Sequence, residues 1–226
     1  MSDYTPKKNI ERTQAIPDAF PLQCYLPYSA IDEPSLMIGM DSGVTNNAFA
    51  ALELIQLNGV TIDFKYSNAY YFENDLALLC NQMDKQIFLT QQYFNLFSHK
   101  KVECLTFEVL PVTSTKGQTL QGVLAAQTTT NMITLMAYQL QHPYKPVPPR
   151  AIKYCLTGNG SASKNDICEA AFSWTHDERL LYNNHMADAF ACAFYSFFKK
   201  MKKDCTAHNV PIPDKYARMD WNFKKA

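Results

Sequence analysis

Glycine is scarce in this chain, seven residues in 226. That scarcity counts against architectures built on repeated glycine loops, such as two-lobed folds that grip a nucleotide between paired phosphate loops. Net charge is also missing: 21 basic residues balance 21 acidic ones, so the molecule as a whole does not advertise a polyanionic partner. No apolar run approaches the ~20 residues of a membrane span. The opening stretch MSDYTPKKNIERTQ has no signal-peptide core and carries acids, unlike a transit peptide, so a cytoplasmic setting is expected. Seven cysteines occur without a CxxC pair or a Cys/His spacing suited to zinc. An odd set of this kind reads as free thiols in a reducing compartment, most of them core residues.

What is present fits one core with appendages. Residues 1–35, with Pro6, Pro17, Pro21, Pro27 and Pro34, read as an extended arm. Residues 36–200 read as the domain and 201–226 as a basic tail. The cationic stretch begins with Lys199, Lys200, Lys202 and Lys203 and continues with Lys215, Arg218, Lys224 and Lys225, against Asp204, Asp214 and Asp220. On charge alone a solvated terminus is the ordinary reading.

Within the domain, LMIGMD, AFAALELI and VTIDFKY read as three strands, the last two joined by the turn dipeptide Asn58-Gly59. Apolar spacing predicts a helix over 76–97. VECLTFEV is a strand apolar on both faces apart from Glu103 and Glu108, and a long helix follows over 118–141. YKPVPP reads as a last strand. RAIKYCL and SKNDICEAAFSW read as short helices, and NNHMADAFACAFYSFF (183–198) as the final one. The order β-β-β-α-β-α-β-α describes an α/β domain: a mixed five-stranded sheet, three antiparallel strands then two parallel, with helices on both faces.

The final helix poses the chemical question. It is packed with Ala, Phe and Cys, yet begins with His185 and Asp188, three apart and so on one face. A carboxylate on an apolar helix is costly unless it is paired or bound to a cation. Asp41 ends the first strand and Glu108 lies near the end of the fourth. If those strands are parallel neighbours, both acids reach the sheet edge where α/β folds collect ligands. With His185 and Asp188 packed across that edge, three carboxylates would meet one imidazole; the acids would repel one another without a cation, and oxygen-rich donors suit Mg²⁺ or Mn²⁺. Two ions ~4 Å apart can clamp both oxygens of a phosphodiester displacement. Each residue also has an ordinary reading. Asp-Ser-Gly is turn chemistry, Glu108 can be an edge charge, and Asn184 with an acid in the first turn can simply open a helix.

Four segments, IGMDSGVTNNAFAALEL, LTFEVLPVTSTKGQTLQGVLAAQ, VPPRAIKYCLTGNGSASKNDI and NNHMADAFACAF, together resemble the RuvC Holliday-junction resolvases of the RNase H-like superfamily, over roughly residues 36–200. The third segment is the most specific. The resemblance implies metal-binding positions at Asp41, Glu108, His185 and Asp188, and functional lysines at Lys153 and Lys164. Lys164 counts with the four as catalytic, and Lys153, Lys164, Arg150 and Lys116 are expected to meet DNA phosphates. It further implies a Mg²⁺-dependent endonuclease (two ions, Mn²⁺ substituting) on four-way or branched DNA, working as a homodimer through the long helix in a bacterial or phage-infected cell. Departures exist: Ser42 replaces a usual Pro, Ala48 a common Gly, and Leu110 or Pro111 an aromatic residue, which bears on junction selectivity. GNGSASK is no P-loop, because Ser163 stands where Gly is required. DSGVTN also resembles the first phosphate loop of actin-like kinases, but a second loop is missing. A non-catalytic junction-binding protein on the same fold is the remaining alternative.

Overall fold

A computed structural model of the chain describes residues 34–43, 45–109 and 120–217. Five strands form one sheet: β1 (Leu36–Asp41), β2 (Ala48–Leu57), β3 (Val60–Tyr71), β4 (Val102–Glu108) and β5 (Tyr144–Val147), in the order β3-β2-β1-β4-β5. β2 pairs antiparallel with β1 and β3, while β1–β4 and β4–β5 are parallel. The expected mixed sheet, three antiparallel strands followed by two parallel ones, is the one observed. At the β2–β3 hairpin Asn58 and Gly59 both take positive φ, 50° and 79°, as a two-residue turn between twisted strands requires.

The helices are α1 (Glu73–Ala77), α2 (Gln82–Phe97), α3 (Leu120–Gln139), α4 (Pro149–Thr157), α5 (Lys164–Thr175), α6 (Glu178–Tyr182), α7 (Asn184–Ala207) and α8 (Asp214–Ala217). Apolar spacing alone predicts one helix over 76–97. The chain makes two, because Asn81 turns extended and its side chain accepts from the Asp84 backbone N–H, starting α2 afresh. The last strand stops at Val147, two residues early, because Pro148 and Pro149 open α4 instead.

Strand alternation divides the core in two. Leu36, Ile38 and Met40 of β1 join Leu105 and Phe107 of β4 under α2 and α3. Met37 lies in the other cluster with α4, α5 and α7. α7 runs between the sheet and α4, α5 and α6, which explains why it is almost wholly buried from Met186 to Phe198. It also continues past 200 to Ala207, and Tyr216 of α8 is buried against Trp174, ring on ring. Residues 201–217, read from sequence as tail, therefore pack on the domain; 1–33 and 218–226 lie outside the described residues. Cys155, Cys168, Cys192 and Cys205 are buried free thiols, and Cys80 is exposed. Among the described residues no helix is long and apolar enough to cross a membrane.

Candidate active site

The site begins with strand parity. On β1, Gly39 and Asp41 alternate with Ile38 and Met40, and on β4, Thr106 and Glu108 alternate with Leu105 and Phe107. The parallel register sets Met40 beside Phe107, so the next step brings Asp41 and Glu108 level at the carboxyl ends of the two central strands. Both acids belong to the face covered by α7, where Thr106 hydrogen-bonds Ser196 of that helix.

α7 reaches these carboxylates because β1 offers it a gap at Gly39. A Cβ there would lie 1.9 Å from the Ala189 carbonyl oxygen and 2.4 Å from the Ala193 nitrogen. Those are helix backbone atoms that cannot swing aside. The alanines of α7 let the helix come that close. Its start is fixed by Asn183, whose side-chain oxygen accepts from the backbone N–H groups of His185 (3.0 Å) and Met186 (3.1 Å). The cap is Asn183 and not Asn184, whose side-chain nitrogen is instead buried without a hydrogen-bond partner. Both asparagines suit the position, and only the bend of the chain out of α6 decides between them.

His185 and Asp188 thus project from the first turns of α7. His185 Nδ1 lies 2.7 Å from Asp41 Oδ2. Tyr71, at the end of β3, stacks on the imidazole with ring centroids 5.8 Å apart and planes 12° from parallel. The Tyr71 hydroxyl lies 2.9 Å from Glu73 Oε2 and 3.2 Å from Asn46 Oδ1. The imidazole is therefore held on its edge by a carboxylate and on its face by a ring.

Glu108 and Asp188 feel the crowding. Burial, then repulsion from Asp188 and Asp41, pushes Glu108 up to about 7, against the pull of Lys153 and Lys164. Burial and the Asp41 charge push Asp188 up to about 6, opposed by Lys164, Lys153 and His185. The two lysines are near enough to act on both acids. Lys153 also donates to the Ala162 carbonyl (3.0 Å), bracing the turn before α5. Lys164 opens α5 just after Ser163, which forms a capping box with Asp166. Arg150, in the first turn of α4, is exposed. Lys116, together with Leu110 and Pro111, lies outside the described residues.

The donor set, three carboxylates and one imidazole in a half-buried cleft, suits a hard divalent cation, which would relieve the repulsion that raises Glu108 and Asp188. Among the described residues no three His, Cys, Asp or Glu donors already surround one point as ligands would; His185 is turned onto Asp41 instead. Tyr71, Asn46, Glu73 and Asn183 are the parts of this site that sequence reasoning missed. None carries a spacing signal, because each reaches His185 through the sheet or through a cap.

No protein-family model and no curated protein matches the chain. Solved structures do. Thermus thermophilus RuvC matches with a TM-score of 0.56 at 15% identity, covering 74% of this chain and 96% of that one. T. thermophilus RuvC in complex with a Holliday junction substrate matches with a TM-score of 0.60 at 13% identity, over 76% and 97%. The yeast mitochondrial Holliday junction resolvase Ydc2 is also similar, at 14% identity over 78% and 84%, with a TM-score of 0.47. At such identities the likeness establishes the architecture: this chain has the RNase H-like fold in the form found in RuvC.

Proposed function

We propose that this chain is a divalent-metal-dependent endonuclease that cuts four-way or otherwise branched DNA by phosphodiester hydrolysis. The observation that carries the reading is the meeting of Asp41, Glu108, His185 and Asp188 with Lys153 and Lys164 at the end of the central strands. A fold shared with a RuvC solved on a Holliday junction adds to it.

Asp41, Glu108, His185 and Asp188 would hold Mg²⁺, with Mn²⁺ able to substitute. When bound, the metal supplies Lewis-acid polarisation of the phosphate and activation of the attacking water. Lys164 and Lys153 offset the negative phosphate that the acids would otherwise repel, and stabilise charge gathering on it during displacement. Asp41 and Tyr71 hold the His185 ring in one orientation. Arg150 and Lys116 add contacts to flanking phosphates.

The second copy expected of a paired-nick enzyme would meet α3. Six of its exposed residues, Gln121, Leu124, Thr128, Asn131, Leu135 and Tyr138, follow one another at spacings of three and four, as along a coiled-coil seam. Leu124, Leu135 and Tyr138 are 56%, 58% and 69% exposed, a costly arrangement for a monomer. Sedimentation is expected to show a dimer that Leu135→Lys dissociates.

The function is tested by cleaving a labelled four-way junction beside linear duplex with Mg²⁺, Mn²⁺ or EDTA. Paired nicks in the junction alone, abolished by chelator, are expected. Binding without nicking in either metal would support a non-catalytic junction binder. Equal cutting of linear duplex would leave a nuclease without junction selectivity.

A further inference from the structure

Three tyrosines expose their rings among the described residues: Tyr138, Tyr144 and Tyr182. Tyr144 opens β5 level with Leu105, ~10 Å back from Glu108 along the strands. Tyr138 lies on the α3 face assigned above to a second copy. Only Tyr182 stands at the edge of the sheet where the acids meet. It precedes His185 by three residues, which an extended chain spans in at most ~11 Å, and His185 itself rests on Asp41. Its ring, 83% exposed, is the barest large apolar side chain among the described residues. The backbone beneath that ring is braced on both sides. Leu180, two residues earlier, is fully buried, so Tyr182 stands ~200° around α6 from it and away from the core. Asp177 caps the helix, accepting from the Arg179 backbone N–H at 3.0 Å and from the Tyr66 hydroxyl at 2.8 Å. Asn183 then closes α6, its backbone N–H donating to the Arg179 carbonyl at 3.0 Å, while its side chain opens α7. The fold gains little from a ring so placed. A planar apolar surface presented at low conformational cost is, however, suited to stacking.

We infer that Tyr182 stacks on a nucleobase of the cut strand, within about three nucleotides of the scissile phosphate, and so favours DNA whose stacking is already broken at a branch. The inference rests on the nuclease reading above and adds a selectivity residue to it. At ~3.4 Å per nucleotide step, the ~11 Å between Tyr182 and His185 corresponds to about three nucleotides. In regular duplex each base face is covered by its neighbours, and freeing one costs unstacking. Where strands part at a branch that cost falls, and the ring takes the place of the missing neighbour. Every base has a π-face, so stacking on Tyr182 carries no sequence preference of its own. The hydroxyl is not required, because the attraction is between faces.

The test uses the full chain and a four-way junction whose nick has been mapped with wild type and Mg²⁺. Binding in EDTA is then titrated with junctions carrying a single abasic residue at each of about three positions on either side of that nick. Tyr182→Leu is expected to weaken binding to the intact junction about tenfold, the scale for losing one base–aromatic stack, and to leave binding to linear duplex unchanged. Tyr182→Phe keeps the face and is expected to stay within about twofold of wild type. Tyr144→Leu, which removes an exposed ring away from the acids, is expected to match wild type. At one position the abasic junction should weaken wild type about tenfold and Tyr182→Leu hardly at all, because base and ring are the two halves of one contact. Thermal melting of Tyr182→Leu is expected to match wild type, since the ring lies outside the core. Wild-type affinity in Tyr182→Leu, or abasic losses equal in the two proteins at every position, would overturn the inference while leaving the nuclease reading intact. A wild-type chain that leaves the junction uncut would instead remove the reading on which the inference rests.

Discussion

The two faces of the central strands do opposite work. Toward α2 and α3, β1 and β4 present Leu36, Ile38, Met40, Leu105 and Phe107, all buried. Toward α7 the same strands present Gly39, Asp41, Thr106 and Glu108. The first face gains stability by filling volume, at roughly 25 cal/mol per Å² removed from water. The second gives up volume at Gly39 so that a helix backbone can come close, and the space gained at its end is lined with acids that repel one another. Of the two, the face that carries the candidate site is the one that stores unfavourable charge.

The comparison is broken most severely at Asp188. Asp188→Asn is expected to lower cleavage by roughly a hundredfold to a thousandfold or more, the scale for losing one preorganised polar group. It leaves folding intact in circular dichroism and binding to a junction intact in a mobility-shift titration. Unfolding by this substitution would make the His185–Asp188 pair structural and end the case for a site there.

Gly39→Ala is expected to follow, costing ~3 kcal/mol or more, because the added methyl meets helix backbone and not a movable side chain. Activity falls with it, since α7 carries two of the site residues. Ile38→Val, one residue away on the opposite face, is expected to cost ~1 kcal/mol in urea unfolding and to leave cleavage unchanged. Similar declines in activity from both would erase the distinction between the faces.

Acid and base sharpen it further. On the α2 side, burial lowers His142 to about 4 while its Nδ1 stays within 2.9 Å of the Tyr93 hydroxyl. A histidine depressed on folding binds its proton more tightly when unfolded, so stability drops as pH falls from ~6.5 toward 4. Glu108 and Asp188 are raised to about 7 and about 6. They bind protons more tightly when folded, so without metal their contribution is lost as pH rises from ~4 through 7. The two effects overlap between pH ~4 and ~7 and oppose one another. In denaturant melts in EDTA, His142→Gln should make stability fall more steeply as pH rises across that range, and Glu108→Gln should make it fall less steeply or rise.

The smallest effect is expected at Tyr71. Tyr71→Leu removes the ring stacked on His185 and should lower kcat about tenfold with KM little changed. Tyr71→Phe keeps the ring and should recover most of that activity. Equal defects in both would assign the role to the hydroxyl and its Glu73 and Asn46 partners.

Most of the sheet was legible in the chain, because period-two alternation in LMIGMD and the Asn58-Gly59 turn are local signals. The placement of Asp41, Glu108, His185 and Asp188 at element ends was legible too, given the parallel pairing of β1 and β4. What stayed hidden depends on contacts between distant residues. Periodicity passes straight through 76–81 although Asn81 restarts the helix, and it cannot choose Asn183 over Asn184 as the cap. No spacing rule links Tyr71 to His185, 114 positions apart. Composition sees one basic tail where folding pairs Lys200 with Glu103 and Asp204, and Lys215 with Asp63.

The most direct test is the stability of wild type, Glu108→Gln and Asp188→Asn at pH 8, each melted in EDTA and in excess Mn²⁺. Without metal both variants are expected to be more stable than wild type. For Glu108, raised from 4.5 to about 7, the gain is at most ~3 kcal/mol. With Mn²⁺ wild type is expected to gain stability as the ion binds the folded chain alone, and the variants to gain little. Variants no more stable than wild type in EDTA, or equal stabilisation of all three by Mn²⁺, would contradict a metal site on the α7 face.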